Sequence, residues 1–473
     1  MGDLRKSGGA TKKQGGRAGV IALFSILVLA SACGNLSQTA VNAMMGGIMA
    51  DFHMEVGVGQ WLTTSYMLML GITVPAATWL SRRVSTRAYL LIALGIFLAG
   101  SLADAIAPGF AVLLIGRILQ AMAAGLTMPL MQMIAMTRFP EGRRATAMGI
   151  AGVAMGFAPN IGPTVGGAME FALGWRSFFL LLAGMCVVFG AATLATVQRE
   201  DAPNPQAKLE GVSLTLSALG FGGVLLGFSN ASSFPLANPV VWAPLALGAL
   251  FLVLFVRRQR RLAEPLISMD IFDSPQYTAG LVALSLLFVS YLGVTLVVPL
   301  YVEGLLGGTA LDAGMVLLPG TMSALVCNPL AGVLTDRVGA RPVCVVAGVF
   351  LAVGAVAMAF LDEHSPLWAA MVFQGIRACG VSSLIGPLTS WSLERLPLRV
   401  MSDGSSFSIA VRQACASFGT SVMVLAVSAG GALVANGGVF EQFGPAFPYQ
   451  LAFGFSAVAA VATLAFCVAK VRD

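Results

Sequence analysis

The chain has 473 residues, of which 57% are hydrophobic and only 10% charged, where a soluble domain carries about 25% charged residues. So few charges cannot cover a water-soluble surface over this length, and lipid must be the solvent for most of the chain. The net charge of +6 acquires meaning only once its residues are placed along the chain.

In chain order, apolar runs long enough to cross a bilayer, about 20 residues each, recur fourteen times. Their limits fall near 19–47, 57–80, 88–107, 110–136, 145–169, 175–197, 211–230, 237–256, 277–302, 312–335, 342–361, 366–391, 404–433 and 449–469. The first run follows the basic stretch from Arg5 to Arg17. At about 30 residues it exceeds the roughly 7–15 apolar residues of a secretory leader, and it is read as a span. Lys and Arg test the count independently, because they collect on the cytoplasmic side. With the N-terminus inside, alternate gaps hold Arg82, Arg83, Arg87; Arg138, Arg143, Arg144; Arg199, Lys208; Arg257, Arg258, Arg260, Arg261; Arg337, Arg341; and Arg395, Arg399. Of the 27 Lys and Arg, only Arg176 falls in an outside gap, while Arg117, Arg377 and Arg412 fall within spans. One missed helix would scramble this alternation. The expectation is fourteen spans in the cell membrane, with both termini cytoplasmic.

Other classes lack raw material. Seven cysteines without a CxxC pair, and two histidines, His53 and His364, set far apart, argue against a disulfide scaffold or a metal site. No GxxxxGK[ST] loop occurs and no soluble segment is long enough for a catalytic domain, so an enzyme is not expected. No basic stripe interleaved with aromatics suggests a nucleic-acid partner.

The gap LSRRVSTR (80–87) resembles LTDRVGAR (334–341) at an offset of 254, and Arg117 matches Arg377 at an offset of 260. Two copies of a six-helix unit are expected, 19–197 and 277–469, with an inserted hairpin at 211–256. Cytoplasmic linkers at 198–210 and 257–276 join them, and tails at 1–18 and 470–473 flank them. Paired repeats with a site at their interface describe secondary transporters that rock one half against the other.

Span 5 contains GVAMGFAPNIGPTVGG (152–167), whose glycines admit a neighbouring helix and whose Pro159 and Pro163 each remove a backbone donor. On those grounds alone it is a kinked, tightly packed helix. The loop GVLTDRVGARP (332–342) joins a turn-permitting glycine to opposite charges that could form a latch between the halves, or simply set topology. Each arginine at mid-membrane costs about 2.5–3.5 kcal/mol. Arg117 therefore needs a partner, while Arg377 and Arg412 are read as snorkelling from near the cytoplasmic ends. Span 1 carries Ser31, Asn35, Gln38, Thr39 and Asn42 on one helical face, read as lining a central cavity.

Over nearly the whole chain these features resemble the major facilitator superfamily, specifically its fourteen-span drug/proton antiporters, and QWLTTSYMLMLGI (60–72) resembles the lincomycin-resistance branch. The resemblance implies an all-α polytopic major facilitator fold. It implies that Gly162, Pro163, Gly166 and Gly167 form the antiporter signature associated with export. It also implies that Gly332, Leu334, Asp336, Arg337, Gly339 and Arg341 form the cytoplasmic loop motif, and that Arg117, with Gln120 nearby, takes part in proton coupling. Three departures stand out. Thr78, Arg82 and Ser85 replace the glycine, aspartate and glycine of the first-half loop motif, so any latch is asymmetric. Ser37 occupies the usual span-1 aspartate position, and Gly46 the usual proline.

The standard proton site is thus in doubt, and the candidates to carry a proton instead are Asp104, Glu170, Glu303 and Asp312, all near outside helix ends and each also readable as a solvated end charge. Glu303 leads, because a partly buried glutamate can exchange protons near neutrality. Among 23 methionines, Met122, Met128, Met131, Met133 and Met136 cluster around span 4. Flexible thioethers suit a pocket for varied ligands, or simply fill a core. Trp61, Tyr66, Gln132 and Arg377 are further cavity candidates. The expected activity is proton-coupled efflux of small amphipathic drugs by a monomer in the lipid bilayer, with no cofactor beyond the proton gradient. The alternative is a same-fold carrier of one metabolite, peptide or self-made antibiotic with different ion coupling.

Overall fold

In lipid every backbone N–H and C=O must be satisfied within its own segment, so long apolar runs fold as helices. The computed structural model describes residues 17–198, 209–231, 237–435 and 444–472, with Glu200, Asn204, Gln206 and Phe234. Among these residues it shows fourteen long helices, one for each apolar run. They are α1 (Arg17–Phe52), α2 (Trp61–Arg83), α3 (Thr86–Ala105), α4 (Phe110–Arg138), α5 (Arg144–Leu173), α6 (Trp175–Thr196), α7 (Gly211–Ala231), α8 (Pro239–Gln259), α9 (Pro275–Gly304), α10 (Ala310–Val338), α11 (Ala340–Ala359), α12 (Leu367–Glu394), α13 (Met401–Ala435) and α14 (Phe447–Lys470). The basic residues Arg5, Lys6, Lys12, Lys13, Arg199 and Lys208 lie outside the described residues.

Twelve of the helices are long and apolar enough to cross a membrane. The exceptions, α2 and α5, are diluted by hydroxyl residues and by glycine and proline respectively. Their place in the packing explains why, since both lie on the seams between the halves, where each meets helices of the other half. The chain is thus an all-helical multi-pass membrane protein.

The repeat is physical. In the first half α1 packs on α4, α5 and α6, while α4 packs on α2 and α3, and α3 on α6. The same pairings recur eight helices on, among α9 to α14. The halves meet along two related seams, α5 with α10 and α2 with α13. The hairpin α7–α8 is zipped by small residues: a Cβ on Gly223 would stand 2.8 Å from the Gly248 Cα. Its α7 leans on both α2 and α13, so the insertion flanks one seam only.

Candidate functional site

The α1–α5 contact begins with a missing donor. Pro163 has no N–H, which leaves the Pro159 carbonyl one turn back without its helical partner. The Thr39 hydroxyl donates to that carbonyl at 2.7 Å, and the Asn35 amide donates to the Ala154 carbonyl at 3.0 Å. Gly162 and Gly166 make the approach possible, because a Cβ at either would collide with α1, at Gly166 2.7 Å from the Ala40 carbonyl oxygen. Gly167 would make only an ordinary contact, and Pro163 is exposed. The polar stripe of α1 is therefore divided. Asn35 and Thr39, expected to line a cavity, are engaged by α5, and Ser31 and Gln38 are buried. Asn42 is exposed and accepts from the Thr63 hydroxyl at 2.8 Å, near the half-exposed Trp61.

Behind α1 lies the Arg117 cluster. The Arg117 Nη1 donates to Ser37 Oγ at 2.7 Å and to Gln120 Oε1 at 2.9 Å, and the Gln120 amide donates to Ser101 at 2.9 Å. The guanidinium stands 4.3 Å from the centre of the Tyr66 ring, whose hydroxyl donates to the Gly34 carbonyl at 2.7 Å. Ser37 thus fills the place of a carboxylate with a neutral acceptor. Tyr66 and Met128 belong to a buried cluster with Phe221 of the hairpin and Ile409 of α13, and Met131 is core filler. Gln132 is buried and accepts from the Ser405 hydroxyl at 2.9 Å, across the seam.

Several expectations need correction. Arg377 and Arg412 do not snorkel; they are 0% and 3% exposed. Arg377 donates to the main-chain carbonyls of Ser290 and Tyr291 in α9 at 2.6 and 3.1 Å, and to Gln374 at 3.2 Å. Arg412 lies 5.1 Å from the Phe288 ring centre. The free carbonyl lone pairs and the aromatic face of α9 take the place of water. Glu303, expected to be partly buried, is exposed on the last turn of α9. Glu170 accepts from the Gly47 N–H at 3.0 Å, and Asp312 caps α10 in a capping box with Thr309. Asp104 is fully buried.

The halves are tied at the arginine-rich end. Asp336, at the end of α10, accepts from the Ala145 and Thr146 N–H groups at 3.0 and 2.7 Å, at the N-terminus of α5. A carboxylate there satisfies orphan donors and complements the helix dipole. The helices can meet because Gly332 sits against Ala145, and Gly149 and Gly152 against Asn328. Gly339 turns the chain into α11 at φ 91°, a conformation that favours glycine. Arg337 and Arg341 lie exposed beside it.

The related seam carries the same device with its polarity reversed. Arg82, at the position equivalent to Asp336, donates from Nη2 to both carboxylate oxygens of the buried Asp403 in the first turn of α13, each at 2.6 Å. Ser81 and Ser402 hydroxyls meet at 2.9 Å beside it. The linker after the hairpin completes the tie: the Ser268 N–H donates to Asp403 at 2.8 Å, Arg82 donates to the Pro265 carbonyl at 3.2 Å, and the Thr78 hydroxyl donates to the Leu266 carbonyl at 2.8 Å. Sequence reasoning noted the lost aspartate at 82 and missed its replacement, although Asp403 was visible as an acid at the start of span 13. Toward the opposite end α5 meets α9 rather than α10 through Asn160. Past the Asn160 amide, 3.5 Å from the Tyr291 hydroxyl, Pro163 and Thr164 on α5 and Leu311, Gly314 and Leu318 on α10 are exposed.

Residues 27–420 match the family model described as Major Facilitator Superfamily. The chain belongs to that superfamily. Its relatives include the uncharacterized MFS-type transporter YcnB of Bacillus subtilis, 33% identical and aligned over 86% of each chain. The lincomycin resistance protein LmrB of Listeria monocytogenes is 32% identical, aligned over 87% of each. Among solved structures, the human organic anion transporter MFSD10 superposes with a TM-score of 0.64 at 13% identity, covering 95% of this chain and 99% of that one, a likeness of fold. As a superfamily transporter the chain is not an enzyme, and its two tied seams lie between its two halves.

Proposed function

We propose that this transporter exports small amphipathic drugs from the cytoplasm in exchange for protons, by alternating access. In this reading all fourteen helices span the cell membrane, both termini are cytoplasmic, and the arginine-rich end faces the cytoplasm. The observation that carries the reading is the closure of the arginine-rich end, where Asp336 grips α5 and Arg82 grips α13, while Pro163 and Thr164 of α5 and Leu311, Gly314 and Leu318 of α10 toward the other end are exposed. We read it as an exporter that has delivered its cargo outward and stands closed to the cytoplasm. The direction of transport is drawn from the drug-resistance name of a relative and from the proline-released carbonyl seam of α1 and α5. A driving force is sufficient in principle, since one charge crossing 100 mV releases about 2.3 kcal/mol, more than the 1.4 kcal/mol of a tenfold gradient.

The test is expression in a drug-susceptible bacterium, with growth and cellular drug content measured for lincomycin and a set of chemically unrelated lipophilic drugs. Lowered content and raised resistance to several compounds is expected. Resistance to one compound alone would narrow the substrate to a specific carrier's, and none would refute drug export.

A further inference from the structure

Among the described residues, Asp104 is the one buried carboxylate that the packing leaves unused. It is 0% exposed, and neither of its oxygens has a hydrogen-bond partner. It lies against the backbone of Gly116 in α4, so closely that a Cβ at that position would overlap the carboxylate. The next residue of α4 is Arg117, whose Nε and Nη2 are also without partners. A cation with spare donors and an acid with spare acceptors thus stand side by side, and no ion pair joins them. As an anion, a buried carboxylate without donors is costly, whereas the neutral acid is far cheaper to keep there.

We propose, resting on the transport reading, that Asp104 binds and releases the coupling proton and that Arg117 reports its state to α1. With the proton on Asp104, Arg117 directs Nη1 to Ser37 and Gln120, the arrangement observed. When the O–H bond breaks and the proton passes to water, the carboxylate recruits the guanidinium in a charge-assisted pair. The bond from Arg117 to Ser37 of α1 is then given up. α1 in turn holds α5 through Asn35 and Thr39, and the N-terminus of α5 is the element gripped by Asp336 of the other half. The two partners available to Arg117 make this a two-state element that a proton can bias. Access is short, because Ile106, two residues beyond Asp104, is 73% exposed. The other charged or titratable groups around the site are Tyr66 of α2, under the guanidinium, and Cys33 of α1. Arg176 of α6 is occupied by Asp51 and the Ala107 carbonyl.

The test uses the purified full-length protein in liposomes, as wild type, Asp104→Asn and Asp104→Glu. Infrared spectra against pH should show a protonated carboxyl band that titrates in wild type, is lost in Asp104→Asn and is displaced in Asp104→Glu. No titrating band, or one unchanged by Asp104→Asn, overturns the proposal. With a pH-sensitive dye enclosed, lincomycin and the lipophilic drug set are then added. Proton movement that falls at least tenfold in Asp104→Asn while drug-for-drug exchange persists is expected, and equal proton movement in both proteins overturns the proposal. Should wild type move no protons with any compound, the coupled-transport reading falls and the infrared band alone decides the site. If Asp104→Asn does not fold, an unaltered half-titration pH in Asp104→Glu overturns the assignment.

Discussion

Removing Arg82 should loosen the closed end by an amount that the contacts allow to be worked out. Arg82→Ala deletes two bonds to Asp403 and one to Pro265, leaving the buried carboxylate with the Ser268 N–H. Breaking one partner of a fully buried ion pair costs about 3–5 kcal/mol. The Arg82 side chain is 32% exposed, so water screens the pair, and the appropriate scale is that of a hydrogen bond to a charged group, about 1.5–3 kcal/mol. A cost of about 2 kcal/mol multiplies the ratio of open to closed forms roughly 30-fold. The assay is a distance distribution between spin labels on Arg83→Cys and Leu398→Cys, both exposed on opposite sides of this seam, with the seven native cysteines replaced. The label separation should shift toward a longer population in Arg82→Ala. The double exchange Arg82→Asp with Asp403→Arg should recover part of the short population that each single exchange loses. An unchanged distribution in Arg82→Ala, or a double exchange no better than its parts, would refute the latch.

Other expectations follow from the α1–α5 seam and the hairpin. Gly162→Ala forces a methyl onto Thr39 and the Leu36 carbonyl and should lower stability by about 1–3 kcal/mol, whereas Gly167→Ala should be tolerated; thermal unfolding in detergent compares them. Thr39→Val removes the donor to the Pro159 carbonyl and should cost about 1–3 kcal/mol in the same assay, and unchanged stability would contradict that role for the contact. Arg258 donates to Glu210 at 2.7 and 3.2 Å and, with Ser213, lowers its carboxyl from 4.5 to about 2. A depressed carboxyl stabilises above its unfolded value and ceases to do so as pH falls through its folded one. Protection of the Ser213 amide against hydrogen exchange should therefore be constant from pH 5 to 8 and decline as the pH falls toward 2, once intrinsic exchange rates are allowed for.

How much of this was legible in the sequence depends on which force decided it. All fourteen helices were readable, because in a bilayer hydropathy outweighs every local preference. The repeat was readable too, from LSRRVSTR and LTDRVGAR. The burial of Arg377 and Arg412 was not, since beside Gln374 and Thr389 they rest on main-chain carbonyls and a ring face of α9 that no residue pattern marks. Thr39 was visible as part of a polar stripe and Pro163 as a missing donor. Nothing in one chain says that Thr39 repairs the loss by donating to the Pro159 carbonyl, 120 positions away. Arg82 and Asp403 lie 321 residues apart, and each alone resembles a topology-setting charge. Glu303 misled because a helix-end position says nothing about which way the side chain faces, whereas Asp104, next to last in its own helix, is enclosed by α4.

The most direct test of the account is drug accumulation by everted membrane vesicles containing the protein, energised by respiration. Lincomycin or another member of the lipophilic set should concentrate inside the vesicles and leak out when a proton uncoupler is added. Vesicles that accumulate no compound, or whose accumulation survives the uncoupler, would contradict proton-driven export.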